Sequence, residues 1–405
     1  MYRKETLIFA SDGHSNYRIP SIVASRNGTV FAFCNNRKES LADHAEEVAL
    51  VYSRKKAGEE WEPVRELLGI PAWACSMGSA VYDGVTDVVM CSGTHKPKPK
   101  DEFGSYTKAQ AAQLAEIAEK RALELGKKTE PFMISSADGG ETWQEHPMEI
   151  APFIYTCEDG TTIELDGSCH GSEHGIQLRH GAFQGRLLCP ARTQIGAYDT
   201  WEGLRKCVCN NAIYSDDHGK TWKASAPVQI PTGEGTLMEH GDGTITYNSR
   251  AYFQDQKRYL ATSTDGGATY GDFRSDDFLI EEKEIGCNAS LLRVEREELR
   301  DGHLLPKDAD AITIFVNPRS AKRENMTACV SFDDGKSWKK TKTIYEGPCA
   351  YSSLAFSKAD QCFYLMYEKG TETPYDKGIA VAAFDLEWLM MQHQDENQRI
   401  RRIET

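Results

Sequence analysis

A tyrosine, a glutamate and three arginines in this chain have the chemistry to bind and attack an acidic substrate. They are Tyr351, Glu234, Arg18, Arg250 and Arg323. A guanidinium group is planar and donates paired hydrogen bonds to a carboxylate. Several cations in one cleft repel one another until an anion enters, so such a cleft is ready to bind one. The five residues indicate an enzyme that binds a carboxylate group of its substrate.

Four Asp-box turns of the pattern S-x-D-x-G-x-[TS]-[WY] frame these residues. They begin at Ser136, Ser215, Ser263 and Ser331. In such a turn Asp and Ser or Thr side chains cap backbone N–H groups, glycine supplies a positive φ, and the final aromatic residue packs between strands. The turns are therefore structural rather than catalytic. Their uneven spacing is typical of propeller blades with variable loops.

Alternating apolar segments around the turns predict an all-β fold, a six-bladed β-propeller with four strands in each blade. The first blade comprises 18–25, a hairpin at Asn27-Gly28, 29–35 and 47–53, and later first strands begin near Gly78, Gly175, Glu234, Asn288 and Tyr351. The N-terminal strand 6–10 is expected to complete the last blade and close the ring, which removes exposed sheet edges. We expect one catalytic domain over residues 1–405.

Residues 97–128 interrupt the β pattern. The segment 107–125 is rich in Ala, Gln, Glu and Lys, carries apolar residues at helical spacing and is followed by Gly126 as a C-cap. It predicts a helical insertion in the second blade, between strands two and three. Surface packing and a position at the pocket mouth or in a subunit contact are both open.

Seven polar residues are expected to meet at one rim, because first strands of a meander start where second strands end. They are Arg18, Glu234 and Tyr351 at starts of first strands, Arg250 and Glu368 at ends of second strands, and Asp43 and Arg323 in loops between strands two and three. The Asp-box turns, between strands three and four, are expected on the opposite face.

The segment Tyr17-Arg18-Ile19-Pro20, the Asp-box turns, a late arginine and Tyr351-Ser352 occur in an order that resembles the sialidases (neuraminidases) of the retaining glycoside hydrolases. The resemblance covers roughly residues 18 to 368. It implies an exo-α-sialidase that removes terminal sialic acids from sialylated glycans or sialosides, with retention through a tyrosyl-enzyme intermediate. No metal or other cofactor is implied.

The resemblance also implies a role for each residue. Arg18, Arg250 and Arg323 hold the carboxylate of the sugar, Arg37 is a further rim arginine, Glu368 braces Arg18, Tyr351 is the nucleophile, Glu234 is its base, and Asp43 is the acid/base. A neutral phenol suits a substrate that is itself a carboxylate, because an anionic nucleophile would be repelled. It needs a base because its ordinary pKa is about 10.

Several alternatives stay open. Glu239 competes with Glu234, Arg319 with Arg323, and Glu39, Glu46 and Glu47 with Asp43. A noncatalytic Asp-box propeller that binds a glycan or protein would keep the turns without needing the polar set. Transfer to a second sugar, or release of an anhydro product, would use the same site. Linkage preference and oligomeric state are not predicted.

The composition limits partners and location. A net charge of -14 disfavours nonspecific nucleic-acid binding. No apolar run reaches the ~20 residues of a membrane helix, and no secretory signal is recognisable. The cysteines lie mostly in apolar runs, which favours a reduced, cytoplasmic protein, with secretion as the alternative. Neither the cluster of His170, His174 and His180 nor Cys207-x-Cys209 has metal-site spacing.

Overall fold

The computed structural model describes residues 2–41, 47–69, 73–97, 130–157, 159–165, 173–195 and 207–391. Across these residues the fold is all-β, as predicted. No helix within them is long and apolar enough to cross a membrane. The predicted helical insertion lies outside the described residues, apart from Pro97, which ends a strand.

The regular elements are short strands joined mostly by tight turns. The first strands are β1 (Arg3–Ala10), β2 (Ser15–Ala24), β3 (Val30–Lys38), β4 (Val48–Lys55), β5 (Arg65–Leu68), β6 (Trp73–Asp83), β7 (Val88–Pro97) and β8 (Glu130–Ser136). The middle strands are β9 (Gln144–Pro147), β10 (Ile150–Ala151), β11 (Phe153–Thr156), β12 (Thr162–Leu165), β13 (Ile176–Gln177), β14 (Leu187–Gln194), β15 (Val208–Ser215) and β16 (Trp222–Ala224).

The last strands are β17 (Thr232–Glu239), β18 (Ile245–Ala251), β19 (Lys257–Ser263), β20 (Gly271–Ile280), β21 (Ser290–Glu295), β22 (Ala311–Pro318), β23 (Glu324–Ser331), β24 (Lys340–Ser357), β25 (Cys362–Lys369) and β26 (Gly378–Phe384). Single 3₁₀ turns lie at Gly181–Phe183, Arg296–Glu298 and Gly302–Leu304. A short helix α1 (Leu386–Met390) begins where the Asp385 side chain accepts the N–H of Trp388 at 2.8 Å.

Strands that follow one another in sequence pair antiparallel and form meanders. The sheet orders are β2-β3-β4-β6-β7-β8-β9 with β5 beside β4, β13-β14-β15-β16-β10, β17-β18-β19-β20, and β21-β22-β23-β24-β25-β26-β1, and β11 pairs with β12 alone. This order brings the starts of first strands and the ends of second strands to the same side of each meander. The N-terminal strand β1 pairs with β26 from Arg3–Phe384 to Ala10–Gly378, as predicted for 6–10.

The strand boundaries differ from the prediction in several places, including β6, which begins at Trp73 rather than near Gly78. β2 begins at Ser15 rather than at Arg18, and β21 begins at Ser290 rather than near Asn288. β24 is continuous over 18 residues. Its first half pairs with β23 and its second half with β25, and the change of partner falls between Pro348 and Cys349. The predicted first strand at Tyr351 is therefore the second half of a longer one.

The Asp-box turns have the predicted hydrogen bonds. In the second one, Asp217 accepts the backbone N–H of Thr221 at 2.9 Å and its hydroxyl at 2.7 Å, while Ser215 Oγ accepts the N–H of Gly219 at 2.8 Å. Gly219 has φ +82°, which a residue without a side chain adopts freely. Trp222 is buried at the end of the turn. The carboxylates of Asp138, Asp265 and Asp333 make the same bonds in the other three turns.

The core lies between neighbouring sheets and consists of several apolar clusters. One cluster joins strands from both ends of the chain, including Phe9, Ile22, Val30 and Met366. The cysteines among the described residues are free, and all but Cys157 are buried. They pack as small apolar side chains, as the sequence predicted.

Candidate active site

Arg18 is buried beside a fully buried carboxylate. Its Nε donates to Glu368 Oε1 at 2.6 Å, and the backbone N–H of Ile19 donates to the same oxygen at 2.9 Å. The other oxygen of Glu368 accepts the backbone N–H of Tyr351 at 3.2 Å. Glu368 therefore ties the arginine on β2 to the tyrosine on β24, although 350 residues separate Arg18 from Glu368 in the chain.

Tyr351 and Glu234 are in direct contact. The Tyr351 hydroxyl lies 2.7 Å from Glu234 Oε1 and 2.9 Å from Oε2, so it donates its proton to this carboxylate. Arg250 Nη1 donates to the same hydroxyl oxygen at 2.8 Å and also to Glu234 Oε2. The phenol thus has a proton acceptor on one side and a fixed cation on the other.

The local electrostatics favour the charged form of Glu234 and the neutral form of Tyr351. Burial alone would raise the pKa of Glu234, but the charge of Arg250, the Tyr351 hydrogen bond and Arg192 outweigh it, and the pKa is lowered. Burial raises the pKa of Tyr351 well above 10, against the lowering effect of Arg250 and Arg323. The phenol is therefore the proton donor of the pair, and Glu234 is the acceptor.

Three arginines surround the Tyr351 ring. The guanidinium carbons of Arg18, Arg250 and Arg323 lie 5.8, 5.9 and 5.6 Å from its centre. Arg250 Nε is held by the carbonyl of Ile285 at 2.7 Å, and Arg323 Nη2 by the carbonyl of Gly286 at 3.0 Å. Arg18 and Arg250 are almost completely buried. Three such cations around one phenol form a strong binding site for a carboxylate.

A β-bulge lies next to Arg18, and two others contain Glu234 and Tyr351. Two residues oppose one across the β2–β3 pair between Arg18 and Ser21, across β17–β18 between Thr232 and Gly235, and across β24–β25 between Cys349 and Ser352. A bulge bends its strand and re-aims the side chains within it. Glu234 and Tyr351 lie inside their bulges, and Arg18 opens the third. The same irregularity thus turns three separate strands toward one site.

The structure separates the two rivals from the predicted residues. Glu239 accepts the backbone N–H groups of Arg179 and His180 at 2.7 and 3.0 Å and does not contact Tyr351. Arg319 donates to the carbonyl of Phe278 at 2.7 Å and stacks on its ring. The geometry therefore assigns the contacts with Tyr351 to Glu234 and Arg323.

Two of the remaining sequence predictions are placed only in part. Asp43 lies outside the described residues, as do parts of its loop at 42–46. Arg37 is buried on β3, and its Nη1 donates to the carbonyl of Leu41 at 3.0 Å, which aims it at the start of that loop. The acid/base assignment to Asp43 therefore stays a prediction from the sequence.

The histidine cluster does not form a common site. His170 lies outside the described residues, His174 Nδ1 bonds to Glu173, and His180 Nε2 bonds to Glu295 at 2.9 Å. In the part of the chain that the structure describes, no group of His, Cys, Asp and Glu side chains is arranged to hold a metal ion.

Tyr375 is a site residue that the sequence did not reveal. Its ring centre lies 3.9 Å from the guanidinium carbon of Arg18. The loop that carries it, between β25 and β26, is organised by Asp376, which accepts the backbone N–H groups of Thr371 and Thr373 at 2.8 and 3.1 Å. No motif marks such a contact, because it depends on a loop meeting a strand from the other end of the chain.

Comparisons with known proteins show which proteins the chain is similar to. The model of the BNR repeat-like domain family matches residues 117–362. A sialidase of Micromonospora viridifaciens is 28% identical over 397 residues, covering 96% of this chain and 54% of that protein. The chain thus spans about half the length of this relative.

Solved structures show the same fold. A Hadza microbial sialidase superimposes with a TM-score of 0.69 at 22% identity, over 94% of this chain and 68% of the other. The intramolecular trans-sialidase of Ruminococcus gnavus gives 0.68 at 15% identity, over 95% and 98% of the two chains.

Proposed function

The chain belongs to the BNR repeat-like domain family and is a sialidase-family protein, and from this premise we propose that it is a retaining exo-α-sialidase. One observation carries the proposal most directly. The Tyr351 hydroxyl donates to Glu234 at 2.7 Å inside a ring of three arginines. A noncatalytic propeller has no need of this arrangement, since a phenol paired with a carboxylate beside two buried cations and a third, partly buried one weakens rather than helps folding.

The proposed reaction begins with the substrate carboxylate bound by Arg18, Arg250 and Arg323. Glu234 takes the phenol proton while the Tyr351 oxygen forms a bond to the anomeric carbon. The glycosidic C–O bond breaks, and its oxygen receives a proton from the acid assigned to Asp43. The phenolic ether so formed is the covalent glycosyl-enzyme intermediate.

In the second step a water molecule attacks the anomeric carbon from the side the leaving group left. Asp43, now ionised, takes a proton from that water, and the Tyr351–carbon bond breaks. The departing phenolate recovers its proton from Glu234, and Arg250 stabilises it meanwhile through the 2.8 Å hydrogen bond. Two displacements at one carbon give retention, and both carboxylates return to their starting state.

The same proposal includes a six-bladed propeller as the scaffold. The pairing order divides into β2 to β5, β6 to β9, β13 to β16, β17 to β20, β21 to the first half of β24, and its second half with β25, β26 and β1. The likeness to sialidase structures supports a propeller. The site would then lie where the first strands of several blades begin.

A fluorogenic α-sialoside tests the activity, and Tyr351→Phe tests the mechanism. We expect this variant to lower kcat roughly a thousandfold, because it removes the nucleophile but keeps the ring. Its affinity for free sialic acid should stay within a few-fold of wild type, since the arginines remain. Near-normal turnover by the variant would reject the tyrosyl mechanism, and absence of wild-type activity on α2,3-, α2,6- and α2,8-linked substrates would reject the function.

Transfer chemistry is the second candidate, and the Ruminococcus gnavus enzyme is the observation that favours it. An intramolecular attack by a sugar hydroxyl would replace the water of the second step. Product analysis by NMR separates the two outcomes. Free sialic acid indicates hydrolysis, and an anhydro sugar indicates intramolecular transfer.

A further inference from the structure

Three consecutive backbone carbonyls, at residues 285–287, each accept a hydrogen bond from a different arginine. We call this segment the carbonyl run. The bonds are Arg250 Nε to Ile285 at 2.7 Å, Arg323 Nη2 to Gly286 at 3.0 Å and Arg258 Nη1 to Cys287 at 2.8 Å. Two of the donors are arginines of the proposed carboxylate site. The third, Arg258, has no part in the mechanism given above.

Arg258 is completely buried and fully engaged. Besides Cys287, it donates to Glu281 Oε2 at 2.7 Å and to the side chain and carbonyl of Asn248 at 2.8 and 3.2 Å. Glu281 is buried too, and it accepts backbone N–H groups of Ala251 and Cys287, both at 3.4 Å. The pair therefore connects β18, which carries Arg250, with one end of the carbonyl run.

Gly286, at the middle of the run, has no room for a side chain. Its φ is +65°. A Cβ there would lie 2.8 Å from Glu281 Oε1 and 2.9 Å from Arg250 Cγ. The run thus packs directly against the buried acid on one side and the site arginine on the other. Only glycine allows that approach.

Fixing the carbonyls fixes the directions of the two arginines. Peptide units are planar, so adjacent carbonyls in a tight segment cannot rotate independently. A guanidinium is also a rigid fork, and holding one N–H on a carbonyl sets where the other N–H groups point. The distance between Arg250 and Arg323 is then set by the spacing of Ile285 and Gly286 rather than by the flexible side chains.

We propose that Arg258 is a positioning residue for carboxylate recognition. Together with Glu281 it holds the carbonyl run, and the run holds Arg250 and Arg323 at the spacing and orientation that the substrate carboxylate requires. The inference rests on the proposed function. It explains why a salt bridge is buried away from the reacting atoms, where two apolar residues would cost less.

The test compares two buried arginines in the full chain. Arg258→Lys keeps the positive charge but loses the planar, forked guanidinium group. Arg186→Lys is the matched control, because Arg186 is also buried and donates to Asp216 at 2.7 Å and to the carbonyl of Gly266 at 3.0 Å in the Asp-box turns. We measure melting temperature, kcat, KM, and the Kd of free sialic acid and of its carboxamide.

We expect Arg258→Lys to weaken sialic acid binding at least tenfold, since a misplacement of about 1 Å at a site can cost roughly 100-fold. The preference for the acid over its carboxamide should shrink by a similar factor. Arg186→Lys should lower the melting temperature without changing that preference. An unchanged acid-to-amide ratio in folded Arg258→Lys overturns the inference.

Gly286→Ala gives a second measurement if Arg258→Lys does not fold. It keeps both residues of the buried pair, but its Cβ would lie too close to Glu281 Oε1 and Arg250 Cγ, so the run must shift and the acid-to-amide preference should also fall. A folded Gly286→Ala protein with wild-type preference contradicts the inference. If wild type itself neither binds sialic acid nor cleaves a sialoside, the proposed function fails instead, so the two failures are distinguishable.

Discussion

At the scale of single residues, the site combines a phenol that stays protonated with a carboxylate that stays ionised. Burial drives the pKa of Tyr351 up, while the pKa of Glu234 is held down by its charged neighbours against the effect of burial. The opposite shifts assign the proton to the phenol before reaction. Arg250 donates to the same hydroxyl oxygen, where we propose that the phenolate forms.

The lowered pKa of Glu234 predicts how activity depends on pH. A base with a lowered pKa is still ionised when the pH falls to the ordinary glutamate value of about 4.3. The fall in kcat/KM that protonation of Glu234 causes at low pH should therefore have its midpoint below about pH 4.3. A fluorogenic sialoside serves as the substrate for this measurement. Samples held at each pH and assayed again near neutrality control for unfolding. A reversible limb centred above 5 would contradict the assignment of Glu234.

Tyr375 offers a second prediction at this scale. Its ring covers Arg18 at 3.9 Å, and a cation–π contact at a desolvated site contributes about 2 kcal/mol. Tyr375→Ala should therefore raise KM by roughly tenfold or more and change kcat less. Tyr375→Phe keeps the ring and should behave as wild type. Equal KM values for the Ala and Phe variants would mean that the ring does not orient Arg18.

At the scale of elements, the bulges and the Asp-box turns lie at opposite ends of the strands and have different effects. The bulges orient site residues, and the turns are capped by their own side chains. The carboxylate of Asp265 is held locally, since it bonds within its own turn, to Ser263, Ala268 and Thr269. The bulges aim Arg18, Glu234 and Tyr351 from three different strands. Stability and catalysis should therefore respond to different substitutions.

Asp265→Ala tests this division. The carboxylate caps a turn, and such caps contribute about 0.5 to 2 kcal/mol. We expect a lower free energy of unfolding by about that amount, seen in urea titration, with KM unchanged. Thr264→Ala, an exposed neighbour in the same turn, is the control and should match wild type. A changed KM with unchanged stability would show that the turn acts on the site.

The turns and the meeting of the five site residues could be predicted from the sequence, and the detailed contacts between distant strands could not. The Asp-box turns have a fixed residue pattern because the capping bonds of their Asp and Ser side chains close within a few residues. The positions of Arg18, Glu234, Arg250, Arg323 and Tyr351 along the chain were enough to predict that they meet at one site. The carbonyl run, the bulges and Tyr375 carry no pattern, because each depends on contacts between distant strands. Glu239 and Arg319 could be set aside only when their actual partners were seen.

At the scale of the whole molecule, β1 pairs with β26 and covers the backbone edge that β26 would otherwise expose. Removing residues 2–10 should expose the backbone of β26 and cause aggregation. Size-exclusion chromatography and thermal unfolding measure the loss. A synthetic peptide of residues 2–14 should restore a monodisperse, folded protein, and a scrambled peptide should not. Normal behaviour of the truncated chain without peptide would show that β1 is dispensable.

The continuity of β24 has a further consequence for the tyrosine it carries. The residues before position 349 are laddered to β23 and those after it to β25. Neither neighbour can fray alone and release the backbone at Tyr351, whose amide is also held by Glu368. Deuterium should therefore enter this amide only through cooperative opening of the whole domain. Tyr351 would then belong to the most slowly exchanging part of the protein.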